Sequence, residues 1–306
     1  MRFGSVPHLD RPIARIVLGS VPFTTSELEN TFSLLDAYLA ADGNAIDLSH
    51  VYRGGDCHRA LGEYMRAREC RDKLVLFDKG CHHYGGVRRV SREAMASDIL
   101  DNHTNLGVTL TEFFVPHRDD PQVPISKIVD WANEHVRAGR IKVFGGSNFL
   151  HHRIAEGNAY AVAQGLQGFS ASSPNFSLAA PNEPMWTECY WVDQVARDWY
   201  AETQFPLFSW SSGGGGFFAE IDTPDIRRVY HNRINFARLK RVKEFAKKLD
   251  ATPTAVALAW TLNQPLNAFA LIGPTNAAQL TDNLTSLELN LDAEELRYLE
   301  HGPGLG

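Results

Sequence analysis

Residues 112–144 read EFFVPHRDDPQVPISKIVDWANEHVRAGRIKVF and contain one complete strand–helix–strand unit. The apolar run Glu112–Val115 predicts a buried strand, and apolar residues then recur at helical spacing until the helix stops at Gly139. A second apolar run follows at once, at Ile141–Phe144. Two strands joined through a crossover helix run parallel in one sheet. This segment therefore indicates an α/β fold built on a parallel sheet.

The same alternation of short apolar runs and helical segments continues along all 306 residues. Eight strands and their helices in roughly 300 residues predict a (β/α)8 TIM barrel that forms a single domain over residues 1–306. A doubly wound sheet is the alternative, but no GxGxxG motif follows the first strand. Residues 174–192 and 211–235 are too long for plain barrel loops, and we expect them to cover the mouth. The predicted strands are Ala14–Leu18, Ala45–Leu48, Lys73–Phe77, Glu112–Val115, Ile141–Phe144, Gly168–Ala171, Phe205–Trp210 and Ala268–Ile272.

Composition excludes several classes of protein. A chain with 44% hydrophobic and 22% charged residues is not disordered, collagen-like or a coiled coil. The net charge of −6 provides no basic surface for a nucleic acid, and no apolar run approaches the roughly 18 residues of a membrane span. The amino terminus lacks a signal-peptide core, and the four cysteines are scattered without a CxxC pair. We therefore expect a cytoplasmic protein with reduced thiols and with neither nucleic-acid nor membrane partners; the oligomeric state is unreadable from sequence.

Four chemically active side chains lie at neighbouring strand ends, where a barrel of this kind carries its active site. Asp47 ends the second strand, Tyr52 follows it across a loop, and Lys79 and His117 follow the third and fourth strands. An ammonium beside a phenol stabilises the phenolate and lowers its pKa, and a carboxylate holds the ammonium in place. A histidine beside the phenol can hydrogen-bond a carbonyl oxygen that receives a proton. Because none of the four is an obvious nucleophile, they indicate carbonyl reduction by hydride from a nicotinamide cofactor.

The motifs around these residues resemble those of the aldo-keto reductase family, in family order from Arg15 to Asn283. The resemblance implies an NAD(P)H-dependent oxidoreductase that reduces an aldehyde or ketone to an alcohol. In that reaction Tyr52 is the general acid, Lys79 and Asp47 tune it, and His117 orients the carbonyl. The stretches that carry the resemblance are Asn44–Tyr52, with its aspartate five residues before a tyrosine, Lys79-Gly80, His117–Pro121, Lys142–Phe149 and Ile272–Asn283.

The resemblance also implies a cofactor site, with four departures from the family pattern. Trp210 replaces the tyrosine that usually stacks on the nicotinamide, Ser173 replaces a glutamine that binds the carboxamide, and His58 replaces a glutamate. The usual cation near 275–276 is also missing, so we expect NADPH to bind with NADH as a real competitor. The implied cofactor-binding residues are Ser147, Asn148, Ser173, Trp210, Ser211, Gly213, Gly273, Thr275, Asn276, Gln279 and Asn283.

The substrate is left open beyond a small-molecule carbonyl compound, because an aromatic wall suits sugars, ketosteroids and aryl aldehydes alike. The expected wall consists of His50, Tyr84, Phe149, Trp186, Trp191 and Trp210.

Two other functions remain open. One is a non-catalytic nicotinamide-binding barrel that regulates a partner. The other is a metal-dependent barrel hydrolase, although no HxH or HExxH motif supports it. Its candidate ligands are His50, His58, His82, His83 and His117.

Overall fold

Residues 1–303 are described by a computed structural model, in which eight parallel strands close into a barrel. The strands follow one another around the barrel in chain order, and the last pairs with the first through Ala270 and Ile16. A two-stranded antiparallel hairpin, β1 and β2, precedes them. The strands are β1 Phe3–Gly4, β2 Ile13–Ala14, β3 Ile16–Gly19, β4 Ala45–Asp47, β5 Val75–Gly80, β6 Thr111–Pro116, β7 Ile141–Ser147, β8 Ala171–Ser173, β9 Leu207–Ser209 and β10 Ala268–Ile272.

Helices connect the barrel strands and cover them from outside. Between residues 1 and 303, no helix combines the length and the apolar character that a membrane crossing needs. The α-helices are α1 Leu28–Ala40, α2 Asp56–Arg68, α3 Arg92–Leu106, α4 Ile125–Arg137, α5 His151–Gln164, α6 Gln194–Thr203, α7 Pro224–Tyr230, α8 Arg233–Lys248, α9 Pro253–Leu262, α10 Ala277–Thr285 and α11 Ala293–His301.

The predicted (β/α)8 barrel is confirmed, and each of the eight predicted runs overlaps one of β3–β10, although the run Gly168–Ala171 shares only Ala171 with β8. The third strand was predicted to stop at Phe77 but continues to Gly80, because its pairing with β6 extends to Pro116. The hairpin β1–β2 was not predicted, since strands of two residues leave no readable alternation. Of the two long segments, 174–192 contains no helix, whereas 211–235 contains α7 and the start of α8.

The barrel interior is a packed apolar core rather than a channel. Phe208 stacks on Phe269 with ring centroids 4.4 Å apart and on Phe77 at 4.5 Å. Side chains alternate between the two faces of a strand, so Phe77 and Lys79 of β5 both point inward while Asp78 points toward the helices. The interior therefore changes from apolar at Phe77 to charged at Lys79, two residues later in β5, at the carboxyl end where the site lies.

Candidate active site

A buried ion pair joins two adjacent strand ends. Asp47 ends β4, Lys79 lies in β5, and the ammonium of Lys79 donates a hydrogen bond to Oδ1 of Asp47. Hydrogen bonds continue past the end of β4: the Lys79 amide donates to the Leu48 carbonyl at 3.1 Å, and the His50 amide donates to the Lys79 carbonyl at 2.8 Å. This extension holds the loop that leads to Tyr52 against β5.

Tyr52 begins a tight turn that ends where α2 starts. Its amide donates to the Ser49 carbonyl at 2.9 Å. Gly54 and Gly55 follow with φ of 59° and 81°, a left-handed conformation that favours glycine. The turn leaves the Tyr52 ring beside the ion pair, with the Lys79 nitrogen 5.3 Å from the ring centroid.

His117 follows β6 and meets the Tyr52 ring edge-on, with centroids 5.8 Å apart and an interplanar angle of 79°. Its Nδ1 is 2.8 Å from the hydroxyl oxygen of Ser49. Nε2 is therefore the ring nitrogen left for a ligand. The structure thus brings together the four side chains Asp47, Tyr52, Lys79 and His117.

Burial and charge set the protonation of this group. Burial alone lowers the pKa of Lys79, but the charge of Asp47 and the Tyr52 phenol reverse that effect, so the pKa is raised and the ammonium persists. Burial raises the pKa of Asp47 against the opposing charge of Lys79. Burial, followed by the positive charges of Lys79 and Arg118, holds the pKa of His117 well below its usual range. His117 is therefore a neutral imidazole at pH 7.

The phenol of Tyr52 departs from the expectation that its pKa is lowered. Burial raises the pKa of Tyr52, and the ammonium of Lys79 only opposes that rise. The expected direction is therefore wrong for this structure, because removing the phenolate from water outweighs the nearby positive charge. The consequence is a phenol that keeps its proton at neutral pH beside a neutral imidazole, an arrangement able to donate hydrogen bonds to one carbonyl oxygen.

Three of the expected nicotinamide residues lie together at the ends of β7 and β8. The Ser147 hydroxyl donates to the Ser173 carbonyl at 3.0 Å, and the Asn148 amide side chain donates to the His117 carbonyl at 3.1 Å. The hydroxyl oxygen of Ser173 and the indole nitrogen of Trp210 are enclosed without a hydrogen-bond partner in residues 1–303. Buried polar atoms are nearly always satisfied, so these two orphans suit a planar amide-bearing ligand at this place.

A glycine turn and a helix start form the rest of the expected cofactor surface. Gly214, Gly215 and Gly216 have φ of 71°, 61° and 98°, so this turn after β9 depends on glycine; Ser211 and Gly213 precede it. At the start of α10 the Asn276 side chain accepts from the Gln279 amide at 3.0 Å, and Gln279 accepts from the Thr275 amide at 2.8 Å. Gly273, Thr275, Asn276 and Gln279 are exposed and Asn283 is half-buried.

The expected substrate wall is assembled only in part. Trp186 packs on Trp210 with centroids 5.6 Å apart. His50 is half-buried and bonds through Nδ1 to the Asn102 side chain at 2.9 Å, toward α3. Tyr84 is 81% exposed in a turn. Phe149 is 2% exposed and packs against Phe169 in the layer between β7 and the helices, so its expected place in the wall is wrong.

The histidines that suggested a metal site are dispersed. His58 is fully buried and bonds to Asp78 at 2.9 Å, and His82 lies against His117 with centroids 4.8 Å apart. Within residues 1–303, no three histidine, cysteine or carboxylate side chains are grouped to hold a metal.

Two neighbours of the site escaped sequence reasoning, namely Ser49 and Arg118. Ser49 stands inside the quoted Asn44–Tyr52 motif, and Arg118 directly follows His117. Their positions next to predicted site residues could have drawn attention to Ser49 and Arg118. Position in the sequence does not show which atoms a side chain contacts.

The aldo/keto reductase family model matches residues 15–301, nearly the whole chain. The chain belongs to the aldo/keto reductase family.

Curated relatives are distant in sequence. Norsolorinic acid reductase of Aspergillus flavus is 24% identical over 285 residues, which cover 88% of this chain and 70% of the relative. A probable aryl-alcohol dehydrogenase of Saccharomyces cerevisiae is 23% identical, covering 89% and 87%. An uncharacterised oxidoreductase of Bacillus subtilis is 24% identical, covering 95% and 94%. These relatives and the family indicate an oxidoreductase.

Among solved structures, a thermostable aldo-keto reductase in complex with the inhibitor epalrestat matches with a TM-score of 0.76 at 19% identity. The match covers 98% of this chain and 99% of that one, and it supports the barrel fold.

Proposed function

We propose that this chain reduces an aldehyde or ketone to an alcohol with NAD(P)H, and that Tyr52 is the general acid. One observation carries the proposal: the Tyr52 ring lies beside the ammonium of the Lys79–Asp47 pair, 5.3 Å from its nitrogen, and packs edge-on against His117. A protonated phenol beside a neutral imidazole provides two donors for one carbonyl oxygen.

The chain's own residues account for the proton. Bound cofactor would supply the hydride that adds to the carbonyl carbon. As negative charge develops on the oxygen, Tyr52 transfers its phenolic proton there, and the Lys79 ammonium stabilises the phenolate that remains. The Ser49 contact at Nδ1 suits a tautomer in which Nε2 of His117 carries the proton and donates to the same oxygen.

The residues at β7, β8 and the glycine turn fit a nicotinamide nucleotide. Ser147, Asn148 and the unpartnered Ser173 hydroxyl would bind the carboxamide, and Trp210 would stack on the ring. Backbone amides of the turn that follows Ser211 would face the pyrophosphate, where glycine lets an anion approach closely.

In this proposal, the surface that would bind the adenine end of the cofactor accepts both NADPH and NADH. Amides of Asn276 and Gln279 and the start of α10 would contact a 2′-phosphate without a charged partner. Arg238, which follows the glycine turn, is occupied elsewhere, since it donates to the Leu178 carbonyl at 2.6 Å. A missing charge-assisted contact costs roughly 1.5–3 kcal/mol, so NADPH would be preferred over NADH by less than about 100-fold.

The test follows loss of the reduced cofactor's absorbance during incubation with NADPH and a panel of aldehydes and ketones. The panel begins with aryl aldehydes, since several relatives are named aryl-alcohol dehydrogenases. Turnover that Tyr52→Phe abolishes while cofactor affinity persists supports the proposal. Tight cofactor binding without turnover of any carbonyl would favour the regulatory barrel instead. Metal analysis of the purified protein, together with activity measured after chelation, tests the metal-dependent hydrolase alternative. The single domain and the cytoplasmic location remain predictions.

A further inference from the structure

Arg118, next to His117, is a buried arginine without a counter-ion among residues 1–303. It is 6% exposed, and within residues 1–303 its guanidinium donates one hydrogen bond, from Nη1 to the His117 carbonyl at 2.8 Å. No carboxylate of that range lies within 4.0 Å of it. A guanidinium has five donors, so four remain for a ligand.

The nearby carboxylates already have partners. Asp119 accepts two hydrogen bonds from Arg153, both at 2.9 Å. Asp120 pairs with Arg88 at 2.8 Å, and Glu188 pairs with Arg88 and with His83. The protein could have neutralised Arg118 with a carboxylate from its own sequence neighbours, but those side chains are turned to other cations.

Arg118 acts on the reacting groups through its charge. It lowers the pKa of His117 and of His82, and it opposes the rise that burial causes in the pKa of Tyr52. It also acts on the thiol of Cys189, in the segment that follows β8. The hydrogen bond to the His117 carbonyl holds the guanidinium at the end of β6, close enough to act by its charge on Tyr52 and on Cys189.

The cofactor's phosphates are not the missing anion. Arg118 follows β6, and four steps around the eight-stranded barrel separate β6 from β10, so the two strands are opposite each other. The proposed 2′-phosphate surface follows β10, and the glycine turn follows β9. The anion that reaches Arg118 must come from the other reactant.

We propose that the substrate carries a carboxylate, and that Arg118 binds it while Tyr52 and His117 bind the carbonyl oxygen. The inference rests on the proposed reductase function and names its substrate class: oxo acids, such as aldehydes with a carboxyl group. A carboxylate fits better than a phosphate ester, because one arginine matches one negative charge in a planar, two-bonded geometry. Burial lowers the pKa of His82 and of His83, which favours the neutral form of each at pH 7.

The experiment compares substrates matched in size. Succinic semialdehyde is paired with butanal, 4-carboxybenzaldehyde with benzaldehyde, and glyceraldehyde 3-phosphate with glyceraldehyde. The measured quantity is the ratio of kcat/KM for the charged member to that for the neutral member, in wild type, Arg118→Met and Arg118→Lys. Arg92→Met is the matched control, because Arg92 starts α3 at the same end of the barrel but is exposed and paired with Glu134.

We expect wild type to favour the carboxylates, and Arg118→Met to lower the carboxylate ratio about 10- to 150-fold. Arg118→Lys should lie between the two, since it keeps the charge and loses the two-bonded geometry. Arg92→Met should match wild type. An equal loss on both members of each pair would overturn the proposal, because Arg118 would then act only through the His117 carbonyl. A preference for the phosphate pair alone would overturn the carboxylate assignment.

A binding measurement separates this proposal from the reductase function. Calorimetric titration of succinate and of terephthalate into wild type and Arg118→Met, each with NADP+ present, needs no turnover. Binding that Arg118→Met weakens at least tenfold supports the anion site even if no carbonyl is reduced. Equal binding by both proteins overturns it even if neutral aldehydes are reduced and the reductase function stands.

Discussion

Replacing Lys79 with methionine removes the buried positive charge that lies beside the Tyr52 ring. Methionine has a similar volume, so the change isolates the charge from the packing. The Lys79 nitrogen is 5.3 Å from the Tyr52 ring centroid, and the lysine is 3% exposed. At an effective dielectric constant of about 20, a full charge at that distance is stabilised by about 3 kcal/mol.

The rate loss follows from how much phenolate forms in the transition state. If the phenol has lost between half and all of its proton, the variant forfeits about 1.5–3 kcal/mol, which lowers kcat about 10- to 150-fold. The pH profile moves as well. In the proposed mechanism reduction needs the protonated phenol. Removal of Lys79 takes away the largest effect that opposes burial, so the pKa of Tyr52 rises and the descending limb of kcat moves to higher pH.

The thermal stability of the Lys79→Met variant provides a second, independent test. Without Lys79, the buried Asp47 carboxylate has no cationic partner, a change that costs about 3–5 kcal/mol. The double variant Lys79→Met/Asp47→Asn should recover most of the thermal stability but none of the rate. Steady-state kinetics from pH 5 to 10 and thermal unfolding of all three proteins make the measurement. A single variant with wild-type kcat and an unmoved pH limb would refute the reasoning, as would a double variant that regains the rate.

The remaining predictions address other residues. Tyr52→Phe should lower kcat about 10²–10⁴-fold and leave cofactor affinity within severalfold; more than half of the wild-type kcat would remove Tyr52 as the acid. Ser49→Ala leaves Nδ1 of His117 without its partner, so kcat should fall about tenfold at unchanged cofactor affinity and Ser49→Thr should restore it; an unaffected kcat would mean that the hydroxyl only fills space. Thr275→Lys should raise the NADPH preference about 10- to 150-fold in parallel titrations with NADH, and no gain would place the 2′-phosphate elsewhere. Burial alone raises the pKa of Asp56, but hydrogen bonds from Thr24 and Thr25 bring it to about 2, so this carboxylate stabilises the fold above pH 4 and loses its effect as the pH falls toward 2. Asp56→Asn should therefore lower the unfolding temperature at pH 7 and not at pH 2; an equal loss at both values would contradict the linkage.

The sequence by itself was sufficient for the barrel and for the four residues at its mouth. Parallel strands covered on both sides need continuous apolar runs, and such runs are visible along the chain. Because a barrel places successive strand ends side by side, Asp47 and Lys79 could be predicted to meet although 32 residues separate them. The two residues are adjacent because they end consecutive strands, and the order of the strands can be read from the apolar runs in the sequence.

Only the tertiary structure decided which neighbours those residues have and how strongly each is buried. Ser49 reaches His117 across 68 residues of sequence, and no local pattern reports that contact. Phe149 follows the Ser147-Asn148 pair yet packs in the layer between β7 and the helices, because the strand ends at Ser147 and the left-handed backbone of Asn148, with φ of 58°, redirects the chain. The pKa of Tyr52 is raised because the folded chain removes water from the phenol. Arg118 lacks a carboxylate partner in residues 1–303 because the fold turns the neighbouring carboxylates to other cations. Burial and long-range electrostatics are properties of the assembled chain, so they were absent from its sequence pattern.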